Sequence, residues 1–597
     1  MKRFFAILFI VAAAAACYLP ALGNGFVWDD HALILRDPLI RSWRLVPEGF
    51  NHFMFIDATP SDFYRPLQRL TYTLEYVAFG FLPLASHLVS ILCHAAAAVA
   101  LFFLAEELLG ALGTEQKRAR AAAAVASLIW AIHPVHSAAV VYIAGRADSL
   151  AALFGFIGLY CVVRSVRAGY TGRWVLFIVA AVAFLLSALS KESGLGFPLL
   201  GLGFFVARKN WHHAWKTIAV GAFVAVAYLS LRMGAEHYSP ARLTPPPAPL
   251  VRPILMARAV AEYAGLIVCP VRLHMDRDVE THPRGFTEES LRAAAWRELQ
   301  TLVGIVLVVA LVVWIWRSRK RNPAAFACLL LALATYLPVS GIVALNATVA
   351  EHWIYVPTAF LFLAAAIEVA TLNLARSTTR VAAVLLASWC IALGVRTFVR
   401  TFDWKDDRTF FTRTIAAGGN SARMLINLGG LELNENRLDD AAAHLRAALQ
   451  KQPNQPLATI NLAAVALKQN DFKLARQLLS RATDMPLVNG QAHELLAVLD
   501  YKEKGMVDVM RMRLATRVGP PDWSIEKRYI KVLDDTGAAR AAVNELVACL
   551  HPQWYRADSW QLLSQLHAKL RHAEQAARAL EKAREYDVHL DRYATTH

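Results

Sequence analysis

The sequence predicts an all-α protein in two parts. A polytopic helical membrane domain of about 11 spans occupies residues 1–400, and a linker at 401–420 leads to a solenoid of helical repeats over 421–597. Three observations predict this. Of 597 residues 56% are hydrophobic and mean hydropathy is +0.37, too apolar for a soluble multidomain enzyme. The density of Leu, Val, Ala and Phe ends near Val399. Beyond it the chain is polar, helix-prone and repeats with a period of 34 residues.

Apolar runs fall at about 4–22, 84–105, 119–138, 148–163, 174–190, 193–207, 217–232, 301–316, 324–345, 353–374 and 381–398. A twelfth stretch, Pro253 to Cys269, carries Arg258 and Glu262 and reads as an amphipathic helix in the interface. Met1 to Gly23 has the outline of a signal peptide, and Ala14-Ala15-Ala16-Cys17 is a poor lipobox. The many following spans favour an uncleaved first span.

With Lys2 and Arg3 placed in the cytoplasm, the turns returning there are "TEQKRAR", "RSVRAGYTGR", "RKNWHHAWK", "RSRKRN" and "NLARSTTR". All are basic and nearly free of acids, provided residues 233–300 stay outside. An odd number of spans leaves the repeats extracytoplasmic, and Ala- and Arg-rich usage points to a bacterial inner membrane. The net charge of +16 follows from the same rule and forms no single patch, so no nucleic-acid partner is expected. Seven scattered cysteines show neither metal nor disulfide spacing and read as small hydrophobes.

The repeats are explicit. "ARMLINLGGLELNENRLDDAAAHLRAALQKQPN" and "PLATINLAAVALKQNDFKLARQLLSRATDMPLV" align Asn427 with Asn461, Asn436 with Asn470, Ala441 with Ala475 and Ala448 with Ala482. A later unit places Trp560, Ala576, Leu580 and Ala583 at the tetratricopeptide positions, and residues 489–556 hold one or two degenerate units. These are tetratricopeptide repeats, in which small residues allow close helix packing.

The distinctive polar clusters share the opposite face of the membrane: "WDDH", "FYRPLQR", "HPVHSAAVVYIAGRAD", "KESG", "CPVRLHMDRD" and "AEHWIYVP". They are expected to build one site from the outer ends of several helices. Asp29 and Asp30 follow Phe26, Val27 and Trp28. They read either as solvated acids capping a helix near His31 or as a partly buried pair whose pKa is raised by burial and by like charge. His133 and His136 lie at i and i+3, a spacing open to a metal, to interfacial packing, or, with Arg146, to a lipid-linked phosphate. Pro134 between them favours a loop or helix end. Lys191 and Glu192 form either a local ion pair or a phosphate-binding lysine with its partner. Arg65, ahead of Pro66, is a loop anchor or a phosphate contact. Glu351 and His352 open a span at the outer face, where ionisable groups usually have a partner or a function. Glu75, His94 and Glu368 read as interhelical hydrogen-bonding groups.

The motifs "FVWDD", "YRPL", "HPVHSAAVVYIAGRAD", "SKESG" and "EHWIYVP", followed by repeats after "WKDDRTFF", resemble the transmembrane-and-TPR-containing O-mannosyltransferases, within the GT-C glycosyltransferase superfamily. The resemblance keeps the motif order across nearly the whole chain. It implies a polyprenyl- or dolichyl-phosphate sugar donor and a catalytic acid motif in the first outer loop, here Asp29 and Asp30. Arg65, His133, His136, Arg146, Lys191 and Glu192 carry over as motif positions and are expected to bind the donor phosphate, with Glu351 and His352 as expected outer-face support. Ser137 and Ala138 stand where relatives often show an acid, and the repeat array is shorter than in animal members.

These readings give an integral-membrane enzyme moving a sugar from a lipid-linked donor to a protein Ser or Thr hydroxyl on the extracytoplasmic side. The solenoid binds the acceptor protein or peptide, and membrane lipids surround the spans. Direct displacement assisted by one carboxylate inverts the anomeric centre. The acid pair is compatible with metal-free chemistry and with a divalent cation, Mg2+ or Mn2+. A non-catalytic membrane-anchored scaffold for envelope or secretion assembly explains the repeats but not the outer polar clusters. A ligase acting on lipid-linked oligosaccharide needs similar groups. A transporter is disfavoured, because ionisable residues near mid-membrane and paired internal repeats are not evident.

Overall fold

A computed structural model describes residues 3–57, 61–236, 248–280, 288–343, 345, 347–372 and 375–593. Lys2, residues 281–287 of the long outer segment and Asn373 and Leu374 of the last basic turn lie outside the described residues. The regular elements of the described residues are all helical, with two isolated bridges, His52–Glu236 and Arg277–Val349, and no strand among the described residues. The chain forms two compact units: Met1–Val27, Pro83–Met233 and Thr244–Gly419 in the first, and Trp28–Leu82, Gly234–Leu243 and Asn420–His597 in the second. Residues 28–82 therefore cluster with the repeats and not with the spans that flank them in sequence.

In the first unit each of the eleven apolar runs contains helix, but fewer are long enough to span. Among the described residues eight helices are long and apolar enough to cross a membrane: Arg3–Gly23, Pro83–Ala111, Ile143–Arg167, Tyr170–Ser190, Trp211–Gly234, Ala294–Arg321, Glu351–Ala370 and Arg376–Trp404. A ninth, Gln116–Ile132 with Pro134–Val140, is bent by 54°. Pro134 lacks an N–H and pushes His133 to an extended conformation (φ −76°, ψ 126°), which breaks the helix there. Glu192–Ala207 and Pro323–Val339 are apolar but shorter. Only 11% of the apolar window of Ala294–Arg321 is buried, leaving Leu302, Val306, Val309, Val312 and Trp316 bare. An apolar helix without a protein partner needs lipid, and the chain reads as a multi-pass membrane protein.

The amphipathic twelfth stretch forms the helix Arg252–Val268 against Glu288–Arg321. A side chain at Gly304 would stand 1.9 Å from the Ala257 carbonyl oxygen, so glycine permits this close crossing. The interhelical reading of His94 and Glu368 holds. His94 Nδ1 lies 2.6 Å from the Tyr355 hydroxyl, and Asn322 donates to Glu368 at 3.0 Å.

The second unit contains five helix pairs: Ala422–Asn434 with Leu438–Lys451, Pro456–Lys468 with Phe472–Ala482, Asn489–Lys504 with Val509–Arg517, Trp523–Asp535 with Ala539–Leu550, and Ala557–Lys569 with Ala573–Tyr586. Each pair turns through one residue at positive φ: Asn436, Asn470, Gly505, Gly537 and Arg571. Asn and Gly tolerate this conformation, and their spacing marks the two units that the repeat pattern left degenerate. Residues 28–82 dock on the last pairs. Leu39 and Leu45 share a core with Tyr555, Ala557 and Tyr586. Ser42 Oγ donates to the Glu585 carbonyl at 3.0 Å, Tyr76 to Asp587 at 2.7 Å, and Arg556 Nη1 to Asp57 at 2.8 Å.

Candidate active site

Just before the acid pair, the Asn24 side chain donates to the Thr401 carbonyl at 2.9 Å and the Gly25 N–H to that of Lys405 at 2.9 Å. Trp28 then adopts φ +57°, a region costly for a bulky residue, and Arg423 of the first repeat lies 5.4 Å over its ring. His31–Leu35 forms a single π-helical turn, closed by the Arg36 N–H on the His31 carbonyl at 2.9 Å. Such turns are rare and recur at functional sites. Asp30 precedes this turn in helical conformation and makes no side-chain cap bond to it. Asp30 is 1% exposed and Asp29 half-buried.

Arg65 is half-buried with its guanidinium 4.3 Å over the Phe63 ring, and Pro66 opens the helix Pro66–Phe79. The anchor of this loop is Arg69. Its Nε meets Asp37 Oδ2 at 3.0 Å, Nη1 donates to the carbonyls of Gly49 (2.7 Å) and His52 (2.9 Å), and Nη2 to that of Phe53 (2.7 Å). Both members of the Arg69–Asp37 pair are buried.

In the first unit "HPVHSAAVVYIAGRAD" folds as a 3₁₀ turn Pro134–His136, a short helix Ser137–Val140, a second 3₁₀ turn Ile143–Gly145 and the start of Arg146–Arg164. Gly145 is required, because a Cβ there would stand 2.0 Å from the Ala138 carbonyl oxygen. His133 and His136 are buried, with ring centroids 5.7 Å apart. His133 Nε2 pairs with the Ile267 carbonyl at 2.9 Å and Nδ1 accepts from the Val135 N–H at 3.3 Å. His136 Nδ1 pairs with the Trp130 carbonyl at 2.8 Å and Nε2 with Thr358 Oγ1 at 3.0 Å. All four ring nitrogens are thus engaged by the fold. No three His, Cys, Asp or Glu side chains group to hold a metal among the described residues.

Arg146, fully buried, donates from Nε to Ser90 Oγ at 3.0 Å and from Nη2 to the Ser86 carbonyl at 2.6 Å. Lys191 pairs with Asp148 at 2.6 Å, a partner 43 residues away in the chain. The extended Lys191 ends the helix Tyr170–Ser190, and half-buried Glu192 begins the next 3₁₀ turn.

Glu351 is fully buried and ties the "CPVRLHMDRD" segment to the last span. Its Oε1 accepts from the His274 N–H at 2.7 Å and from Arg277 at 3.2 Å, while Oε2 lies 3.6 Å from Arg400 Nη2. Arg277 also meets Glu262 at 2.5 Å, and Arg400 meets Asp403 at 2.8 Å. Burial, and then the nearby Arg277 and Arg400, push the His274 imidazole down to about 3. His352 stays half-buried, its ring 6.2 Å from that of Trp353.

The sequence-predicted residues divide between the units. Asp29, Asp30 and Arg65 belong to the second, and His133, His136, Arg146, Lys191, Glu192, Glu351 and His352 to the first. Sequence reasoning missed Arg69, Asp148, Arg277 and Arg400. Their signal was an ionisable residue inside a motif or at the end of an apolar run, where burial demands a partner.

Residues 432–499 match a family model described as tetratricopeptide repeat. The chain is similar to a protein O-mannosyl-transferase of Caenorhabditis elegans, 26% identical over 75% of this chain and 63% of that protein. It is also similar to protein O-mannosyl-transferase TMTC3 of Homo sapiens, 24% identical over 79% of this chain and 54% of that protein. The resemblance read from the motifs is borne out, and the chain spans about half to two-thirds of the length of these relatives. Among solved structures, ArnT from Cupriavidus metallidurans bound to undecaprenyl phosphate aligns over 83% of this chain and 81% of its own, at 13% identity and a TM-score of 0.38.

Proposed function

We propose that this chain is a membrane glycosyltransferase that moves a sugar from a polyprenyl-phosphate donor to a Ser or Thr hydroxyl of an acceptor protein on the extracytoplasmic side. The observation that carries the reading is that the acid pair and the repeat solenoid share one compact unit. A base built into the body that holds an extended acceptor suits transfer to protein better than transfer to a free lipid. The names of the relatives support the same class of reaction.

The acceptor hydroxyl attacks the anomeric carbon and the lipid phosphate leaves as an anion. One carboxylate takes the hydroxyl proton as the new bond forms, so a single displacement inverts the centre. Asp29 is assigned this role because it keeps solvent exposure that Asp30 lacks. Asp30 is its buried neighbour. Lys191 and Arg65, both half-buried, are the donor-phosphate cations, with Glu192 beside Lys191. In the first unit the buried His133, His136, Arg146 and Glu351 hold the turns around Lys191 and Glu192, and His352 supports the outer face. Assays with EDTA and with added Mg2+ or Mn2+ decide whether a divalent cation takes part.

Purified full chain incubated with radiolabelled polyprenyl-phosphate sugars and Ser/Thr peptides is expected to place label in the peptide. Absence of label with every donor, from folded protein, would leave the membrane-anchored scaffold.

A further inference from the structure

We propose that the adjoining ends of the spans Tyr170–Ser190 and Trp211–Gly234 hold the phosphate group of an anionic membrane lipid. The basic turns "RSVRAGYTGR" and "RKNWHHAWK" have no part in the proposed transfer, and neither contains an acid. Their cations differ in how they are matched. Arg164 and Arg167 share Glu107, each at 3.2 Å. Arg173, His212, His213 and Lys216 have no carboxylate within ion-pair distance among the described residues.

Lys216 is 5% exposed, although it is an ammonium near a span end. Its Nζ contacts His212 Nε2 at 3.1 Å and lies 4.5 Å over the Trp174 ring and 5.9 Å from that of Trp215. An aromatic face offsets only part of the cost of burying an ammonium, which otherwise requires an anion. Arg173 donates from Nη2 to the Ala168 carbonyl at 3.2 Å, and its buried Nε has no partner. His213 is wedged between the Phe205 ring at 5.2 Å and the Phe177 ring at 6.2 Å, with Nδ1 2.9 Å from Asn210 Oδ1.

The surroundings identify the source of the anion. Tyr170, Trp174, Trp211 and Trp215 are all exposed and ring the cluster, the arrangement that marks the headgroup level of a bilayer. A basic pocket between span ends at that level suits a lipid phosphate, with the guanidinium offering a fork and the ammonium a point charge. Free phosphate has the same chemistry but would not use the aromatic ring.

The full chain in detergent micelles is titrated with phosphatidylglycerol, phosphatidylcholine and inorganic phosphate, and read by thermal shift and by native mass spectrometry. Phosphatidylglycerol is expected to bind and to stabilise. Lys216→Gln and Arg173→Gln should each weaken it at least tenfold, and Lys216→Arg should retain most of it. If Lys216→Gln fails to fold, Arg173→Gln and Lys216→Arg still decide. Equal binding of phosphatidylcholine, undiminished binding by Arg173→Gln, or inorganic phosphate giving the same stabilisation would each overturn the lipid site. The readout is binding, so it stands apart from the fate of the transfer assay.

Discussion

Arg69 shows what single residues contribute. It and Arg65 sit four positions apart in one motif, yet Arg69 alone knits residues 37–53 together through Asp37 and three carbonyls. Arg69→Ala leaves Asp37 buried and unpaired, which is expected to cost about 3–5 kcal/mol. Chemical denaturation of the micellar protein measures it, and a loss below about 1 kcal/mol would mean that water replaces the pair. His274 makes a pH prediction. Its folded pKa is about 3 against an ordinary 6.5, so between these values the unfolded chain binds a proton that the folded chain refuses. Stability from this group is complete above pH 6.5 and falls by up to about 1.4 kcal/mol per pH unit as acid is added below it. His274→Gln should flatten that limb of the stability profile between pH 4 and 6.5, and an unchanged slope would assign it to other groups. Both residues lie inside polar clusters that the sequence picks out, although neither was singled out there. Their pairing with Asp37 and Glu351 was not legible, because the Arg69–Asp37 and His274–Glu351 contacts depend on packing and not on spacing along the chain.

At the scale of elements, the pattern of apolar runs located the helices well, because a 3.6-residue period and a 34-residue repeat are local signals. It overcounted long spans, since a run such as 193–207 can be apolar and still too short. The repeat turns are legible once backbone conformation is considered. Asn436, Asn470, Gly505 and Gly537 supply residues suited to positive φ, whereas the fifth turn uses exposed Arg571 at φ +60°. Replacing Arg571 by Gly should stabilise the last pair by about 0.5–1 kcal/mol, relief of left-handed strain outweighing the entropy that glycine adds to the unfolded chain. Thermal unfolding of the repeats, followed by hydrogen exchange in residues 557–586, checks this. A lower midpoint would show that Arg571 makes a contact worth more than the strain.

For the whole molecule, the consequence of the two units is that the acid-bearing loop depends on the solenoid. Leu39 and Leu45 lose their partners Tyr555, Ala557 and Tyr586 if the repeats are removed. Deleting residues 420–597 is therefore expected to unfold residues 28–82 and to abolish transfer to short peptides as fully as transfer to protein, with new proteolytic sites in that loop. Retained peptide transfer would show that the loop folds without its support. This grouping was not legible in the sequence, because residues 28–82 and 555–593 meet across about five hundred positions and neither carries a pattern naming the other. The most direct test of the account is sugar transfer from a radiolabelled polyprenyl-phosphate donor by Asp29→Asn and Asp30→Asn in folded full-length protein. The account expects Asp29→Asn to lose at least about 100-fold in rate with unchanged thermal stability. Transfer by Asp29→Asn at the rate of the unsubstituted protein would contradict it.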